Sequence, residues 1–378
     1  MRGWTARAIS AVEETTRLNL YTDILRPCLF RFDPETAHLL AITGLRRTPA
    51  PVLRAMFGPP VEKPLRLFGL TFPNPVGLAA GMDKNAEALG AWEALGFGFV
   101  EAGTVTAHGQ PGNDKPRCFR FPGQQALINR MGFNNPGAEA VARTLSALKS
   151  SGRWPRIPVG INIGKSKVTP LENAPSDYAA SFRQLLPFGD YFVINVSSPN
   201  TPGLRRLQDG ESLSAIVRAL KAIDPAKPLL VKIAPDLSDE AVREMAALAE
   251  AEKLDGLIAT NTTLDHSSVP AGNDQAGGLS GSPLRPRSTE VLRILRSQTG
   301  LPIIASGGVM SAESAREKLE AGASLVQIYT GFIYSGPGLI RDISGVWNTR
   351  GRDINASENC CPGKRSPAGP GKPAGKPG

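Results

Sequence analysis

From Leu65 onward, short unbroken apolar runs alternate with amphipathic stretches, and this alternation constrains the fold more than any other feature. Eight runs read as strands: Pro75–Ala80, Phe99–Ala102, Val159–Ile163, Tyr191–Val196, Leu229–Ile233, Gly256–Ala259, Ile303–Ala305 and Leu325–Ile328. Runs without an apolar/polar alternation suit parallel strands covered on both faces. Between them lie helical patterns such as Ala86–Leu95, Tyr178–Leu186, Leu213–Ala222, Glu240–Glu252, Ser288–Ser297 and Ala312–Ala321. Eight strand–helix units over about 280 residues predict an α/β fold, a TIM (β/α)8 barrel. A doubly wound sheet is the alternative, but no G-x-G-x-x-G follows the first strand. Leu65, Leu67, Leu70 and Phe72 alternate around Phe68-Gly69 and predict a short hairpin before the barrel.

The segments outside the barrel differ in composition. A small N-terminal helical domain precedes it, at residues 18–64. One helical pattern runs from Leu18 to Phe30, and a second opens at Asp33-Pro34, an N-cap followed by proline at the first helical position. The second ends in Arg46-Arg47, where cations suit the helix dipole. Such a pair either packs on the barrel or lies on a membrane surface. Residues 1–17 read as a flexible N-terminus, 65–349 as the barrel, and 350–378 as a disordered basic tail. From 362 on, that tail contains only Pro, Gly, Ala, Ser, Lys and Arg. The formal charge is +9, of which residues 1–66 and 350–378 each carry +4, leaving the barrel nearly neutral. That distribution disfavours a nucleic-acid enzyme, which carries its basic stripe on the folded surface. No run reaches the ~18 apolar residues of a spanning helix, and the N-terminus lacks a signal peptide's apolar core. The compartment expected is the cytoplasm or its membrane face. Four Cys without a C-x-x-C and three scattered His predict neither a disulfide framework nor a metal site.

Barrel enzymes work at the C-terminal ends of their strands. Those ends offer Ala80-Gly81-Met82-Asp83-Lys84, Gly103-Thr104, Asn162, Asn195 with Ser197–Thr201, Lys232, Thr260-Asn261-Thr262, Gly307-Gly308 and Tyr329-Thr330. Several Asn and two Lys, without a carboxylate pair or His, disfavour metal hydrolysis and glycosidase chemistry. Asn side chains both donate and accept, which suits a pyrimidine or a flavin edge. Gly307-Gly308, the 277–281 loop and Tyr329-Thr330 sit where barrels bind phosphate. Lys232, inside an apolar strand, needs an anion or an acidic neighbour. Lys84 suits a carboxylate clamp. Ser198 is the candidate base, on a loop able to close over substrate.

Ten strings carry a resemblance: G-L-A-A-G-M-D-K-N, E-A-G-T-V-T, G-N-D-K-P-R, N-R-M-G-F-N-N, G-I-N-I-G-K, I-N-V-S-S-P-N-T-P-G-L-R, V-K-I-A-P-D, I-A-T-N-T-T, G-G-L-S-G and L-V-Q-I-Y-T-G-F. In this order across residues 65–349, they resemble the dihydroorotate dehydrogenase family. Cytosolic members carry Cys where this chain has Ser198. The Ser form, preceded by a helical pair, resembles the membrane-associated, quinone-reducing class. The resemblance implies one FMN per chain and oxidation of (S)-dihydroorotate to orotate in pyrimidine (UMP) biosynthesis. Ser198 would take the proton from ring carbon 5, and hydride would pass from carbon 6 to the flavin. It implies substrate contacts from Lys84, Asn129, Arg130, Met131, Gly132, Phe133, Asn195, Asn200, Asn261 and Thr262. It implies FMN contacts from Ala80, Gly81, Met82, Asp83, Lys84, Thr104, Asn162, Asn195, Lys232, Thr260, Gly281, Gly308, Tyr329 and Thr330. The expected partners are a membrane quinone and the membrane surface itself. No nucleic acid is expected, and the chain is expected to be a monomer at the cytoplasmic face. Met82 stands where Leu is common, and Thr330 where Ser is. The rival reading, a tRNA dihydrouridine synthase, would need a basic barrel face and usually a catalytic Cys.

Overall fold

The computed structural model describes residues 19–347. The readings for residues 1–17 and 350–378 lie outside the described residues. A π-helical turn, Leu20–Leu25, runs into α1 (Arg26–Leu29), followed by α2 (Pro34–Arg47) and α3 (Ala50–Phe57). The strands are β1 (Leu65–Leu67), β2 (Leu70–Phe72), β3 (Val76–Leu78), β4 (Phe99–Val105), β5 (Cys118–Phe121), β6 (Ala126–Asn129), β7 (Val159–Ile163), β8 (Tyr191–Asn195), β9 (Leu229–Ile233), β10 (Gly256–Ala259), β11 (Gly278–Gly281), β12 (Ile303–Ser306) and β13 (Leu325–Ile328). The remaining helices are α4 (Leu89–Ala94), α5 (Ala138–Ser150), α6 (Ala174–Leu185), α7 (Gly210–Lys221), α8 (Asp239–Ala251), α9 (Arg285–Gln298), α10 (Ala312–Glu320), α11 (Thr330–Ser335) and α12 (Gly338–Val346).

Eight parallel strands close a barrel in the order β3-β4-β7-β8-β9-β10-β12-β13. The fold is therefore the expected (β/α)8 barrel with helices before it. Four strands keep their expected bounds, whereas β3 is shorter than Pro75–Ala80 and β4 longer than Phe99–Ala102.

The barrel floor is filled by aromatic rings, with glycine leaving them space. A Cβ at Gly77 would lie 2.2 Å from the Phe99 ring, and one at Gly160 would lie 2.1 Å from the Tyr191 ring. The β1–β2 hairpin turns on Phe68 and Gly69, both at positive φ, which suits the twist of a two-residue hairpin. Phe68 packs on Phe72 and Tyr191, and Leu67 and Phe72 join the floor cluster, so the hairpin plugs the N-terminal end. The opposite end stays open for a ligand.

Two features depart from the sequence reading. The helical segment holds a third helix, α3, and its first pattern begins as a π-turn. The 277–281 segment, read as a loop, contains β11, which joins β5 and β6 in an antiparallel sheet over the open end. Arg120, Asn129 and Ser280 interrupt these short strands, so their apolar runs are too brief to stand out in the sequence.

The N-terminal helices dock through one buried ion pair. Glu35 of α2 receives Arg117 Nε at 3.1 Å and Nη2 at 2.7 Å. Arg117 also donates to the carbonyls of Pro111 and Asn113. Ile42 and Leu53 enter the main core, and Tyr21 Oη donates to the Ile333 carbonyl at 2.7 Å.

Candidate active site

A cavity opens at the C-terminal strand ends, under the β5-β6-β11 sheet. Its base is a polar network built from neighbouring strands. Asn195, at the end of β8, donates to Thr104 Oγ1 and Asn162 Oδ1, each at 3.0 Å. Thr104 donates to Asn162 Oδ1 at 2.6 Å, and Asn162 Nδ2 donates to Glu101 Oε1 at 2.7 Å. Glu101 also accepts from Gln327 Nε2. Every member is buried, so each hydrogen bond spares a desolvated polar group, and the geometry is locked. Gln327 Oε1 is left without a partner at the cavity wall.

Lys232 lines the same cavity and makes no hydrogen bond among the described residues. Burial lowers its pKa, and Glu101 opposes that effect. Across the cavity, Asn200 Nδ2 donates to Asn129 Oδ1 at 3.2 Å, and Asn261 Nδ2 donates to Ser197 Oγ at 3.0 Å. Ser198 is buried on the loop after β8, with its Oγ accepting the Asn200 N–H at 3.3 Å. Arg205 steadies this loop from behind, donating to the Ser197 and Thr262 carbonyls and pairing with Asp236.

The opposite wall is backbone-rich. Gly281, Gly307 and Gly308 have positive φ, and a Cβ at Gly308 would lie 2.3 Å from Arg285 Cα. The N–H groups of Gly308 and Val309 have no acceptor among the described residues. With Thr330 at the start of α11, they form a lobe suited to a phosphate. Unpartnered amides at one end, and an unpaired lysine with an orphaned amide oxygen at the other, fit a flat nucleotide such as a flavin mononucleotide.

Most of the expected residues face this cavity: Ala80, Gly81, Lys84, Thr104, Asn129, Met131, Gly132, Phe133, Asn195, Ser198, Asn200, Lys232, Thr260, Asn261, Thr262, Gly281, Gly308, Tyr329 and Thr330. Four do not. Asp83 is enclosed and accepts from the Glu87 and Ala88 amides and Trp92 Nε1, so its carboxylate shapes the turn before α4. Met82 turns toward a second cavity. Arg130, one residue beyond β6, lies outside the site, over the Phe119 ring and donating to the Ala276 carbonyl. Asn162 stands behind the wall, bracing Asn195. Sequence reasoning missed Gln327, which is polar within an otherwise apolar strand and could have been singled out as Lys232 was.

The second cavity lies beneath α2 and α3 and is lined mainly by apolar side chains, including Leu25, Ala37, Ile42, Met56 and Phe332. Lys84, Asn129, Met131, Ser280 and Tyr329 line both cavities, so the two meet there. Lys84 donates to the Gly81 carbonyl at 2.6 Å, and burial pushes its pKa down to about 8. Burial, with Lys84 nearby, pushes His38 down to about 3.

Fold and site together define a (β/α)8 barrel whose strand ends enclose an amide-rich polar cavity beside a glycine-rich lobe. The dihydroorotate dehydrogenase family model matches residues 64–347. A protein of Gloeobacter violaceus named dihydroorotate dehydrogenase (quinone) is 53% identical over 341 residues, covering 88% of this chain and 95% of that protein. One of Salinispora arenicola with the same name is 52% identical over 344 residues, covering 87% and 99%. The crystal structure of the Eimeria tenella enzyme in complex with ferulenol superposes with a TM-score of 0.75 at 39% identity, covering 83% of this chain and 90% of that one. The chain belongs to the dihydroorotate dehydrogenase family, flavin-dependent oxidoreductases that oxidise dihydroorotate in pyrimidine biosynthesis.

Proposed function

We propose that this chain oxidises (S)-dihydroorotate to orotate with one bound FMN and a membrane quinone as electron acceptor. The observation that carries this reading is the meeting of two unlike cavities, one amide-lined and one apolar, at a shared wall. A redox group seated there would face a polar donor on one side and a lipophilic acceptor on the other.

Bound FMN would supply the redox chemistry that links dihydroorotate to quinone. Lys232, Gln327 and the strand-end amides of Gly308 and Val309 would hold it. The residues of this chain do the rest. Lys84 supplies a cation for the substrate carboxylate, and Asn129, Asn195, Asn200 and Asn261 present donors and acceptors to its amide edges. Ser198 takes the ring proton as general base. Thr201 follows on the same loop with its buried hydroxyl unpartnered, which suits a relay carrying that proton away. The loop and the antiparallel sheet exclude water while the proton moves.

Membrane contact falls to the helical segment. Six of the eight exposed large hydrophobic side chains among the described residues lie there: Ile24, Phe32, Leu39, Leu40, Val52 and Met56. Arg46, Arg47 and Arg54 flank them, and apolar residues beside cations suit the headgroup boundary. No described helix is long and apolar enough to cross a membrane. The attachment proposed is thus peripheral, at the cytoplasmic face, by a single chain.

An anaerobic titration tests the whole reading. The purified protein should show flavin absorption that dihydroorotate bleaches and a quinone restores. A protein without flavin bands, or with bands that dihydroorotate leaves unchanged, overturns it.

A further inference from the structure

Lys318 of α10 is fully buried, yet among the described residues no carboxylate meets its ammonium. Its Nζ donates to Ser288 Oγ at 2.6 Å, Thr289 Oγ1 at 2.7 Å and, more weakly, the Arg285 carbonyl at 3.4 Å. All three acceptors are neutral. The adjacent Glu317 is taken up by Arg285 at 2.6 Å and Arg293 at 3.6 Å. Lys318 and Arg285 therefore stand behind the Gly307-Gly308 loop with Glu317 as their one carboxylate, leaving one positive charge uncompensated. Burial pushes Lys318 down to about 7. A buried charge of this kind persists best where an anion offsets it.

The hydrogen bonds say where that anion would sit. Thr289 Oγ1 donates to the Arg285 carbonyl at 2.8 Å, so that carbonyl is already served. Ser288 Oγ accepts from Lys318 and has one proton to give. Its shorter acceptor contact is the Gly307 carbonyl, at 2.9 Å against 3.1 Å to Arg285. The Gly307 carbonyl is thus drawn back toward α9. In a trans peptide the C=O and the following N–H point in opposite directions. The Gly307–Gly308 bond is trans, so pulling the Gly307 carbonyl back turns the Gly308 N–H forward. That N–H has no acceptor among the described residues, and Gly308 lines the cavity.

We propose that Lys318 is a positioning residue for the phosphate of the flavin nucleotide, acting through Ser288 and the Gly307 carbonyl to aim the Gly308 N–H and adding a buried positive charge behind it. This rests on the FMN reading above. A phosphate monoester carries about −1.5 to −2 charges, opposite in sign to this local excess.

The test compares FMN with riboflavin, which lacks the phosphate. Equilibrium dialysis of the full-length protein against FMN, and against riboflavin displacing it, gives the two dissociation constants. Wild type should prefer FMN. Lys318→Met should weaken FMN about tenfold, as expected for a residue that acts on the phosphate through Ser288 and the Gly307 carbonyl, while changing riboflavin by less than about threefold. Should Lys318→Met fail to fold by circular dichroism, Ser288→Ala and Thr289→Val decide. The first should lower the FMN-to-riboflavin preference several-fold. The second removes a Lys318 partner that does not reach the loop and should leave the preference within about twofold. Equal weakening of both flavins, or an unchanged preference in Lys318→Met or Ser288→Ala, overturns the assignment while leaving the FMN reading intact. A wild-type protein with no preference for FMN would overturn both.

Discussion

Among the described residues, Ser198 has no acid or histidine hydrogen-bonded to it, only the Asn200 backbone N–H, so its basicity depends on what the closed loop excludes and what Thr201 relays. Ser198→Ala should keep flavin but slow its reduction by dihydroorotate on the order of 10²–10⁴-fold, measured by stopped flow. Ser198→Cys should retain more, because a thiolate accepts the proton. A rate near wild type in Ser198→Ala would remove the residue from this role. Lys84 provides a pH test. With its pKa pushed down to about 8, the free protein loses this cation as pH rises through that value. A bound carboxylate favours the charged form, so kcat/KM for dihydroorotate should fall above about pH 8, while kcat falls less. Lys84→Arg, always charged, should shift that fall upward. His38, held down to about 3, is neutral throughout this range and contributes no titration to it.

At the scale of elements, α2 is fixed to the barrel by the Glu35–Arg117 pair more than by apolar area, since Leu39 and Leu40 stay about half exposed. Burial works to raise the Glu35 pKa, but Arg117 and Lys115 hold it below its usual value. Removing Arg117 leaves the enclosed Glu35 carboxylate with only the exposed Lys115 ammonium at 3.3 Å, which costs up to about 3–5 kcal/mol. Arg117→Met should therefore loosen α2 while the barrel stays folded. Hydrogen exchange should rise in Pro34–Arg47 and remain low in the barrel strands. Protection of α2 equal to wild type would show that packing alone holds it. The two ends of the barrel differ in the same way: aromatic rings seal one end, while a small antiparallel sheet covers the other and leaves room for ligands.

For the whole molecule, the two cavities imply two separable half-reactions. Deleting residues 1–64 removes most of the apolar cavity's cover and the exposed apolar side chains, but leaves every strand that builds the polar site. The truncated protein should still bind flavin and be bleached by dihydroorotate. Its binding to vesicles and its reduction of long-tailed quinones should fall together, while a small soluble acceptor is used more nearly as before. Circular dichroism must first show a folded product. A folded truncation that sediments with vesicles and reduces long-tailed quinone at the full rate would place the acceptor site elsewhere.

The sequence alone determined the barrel and most of the strand-end chemistry. A parallel strand buried on both faces must be a continuous apolar run, and eight of them leave a signal that no local exception hides. Lys232 was legible because it interrupts such a run. The antiparallel sheet, the third helix and the course of the N-terminal π-turn were decided by tertiary structure, since short, half-exposed segments gain their order from what they pack against. The same holds for side-chain direction. Asp83 stands in a motif beside Lys84, yet three donors within the turn capture its carboxylate. Arg130 follows Asn129 but lies outside the site, over the Phe119 ring. Lys318 reads in the sequence as one more cation on an amphipathic helix. Only the packing of α9 against α10 encloses it behind the glycine loop, because burial is a property of neighbours distant in the chain.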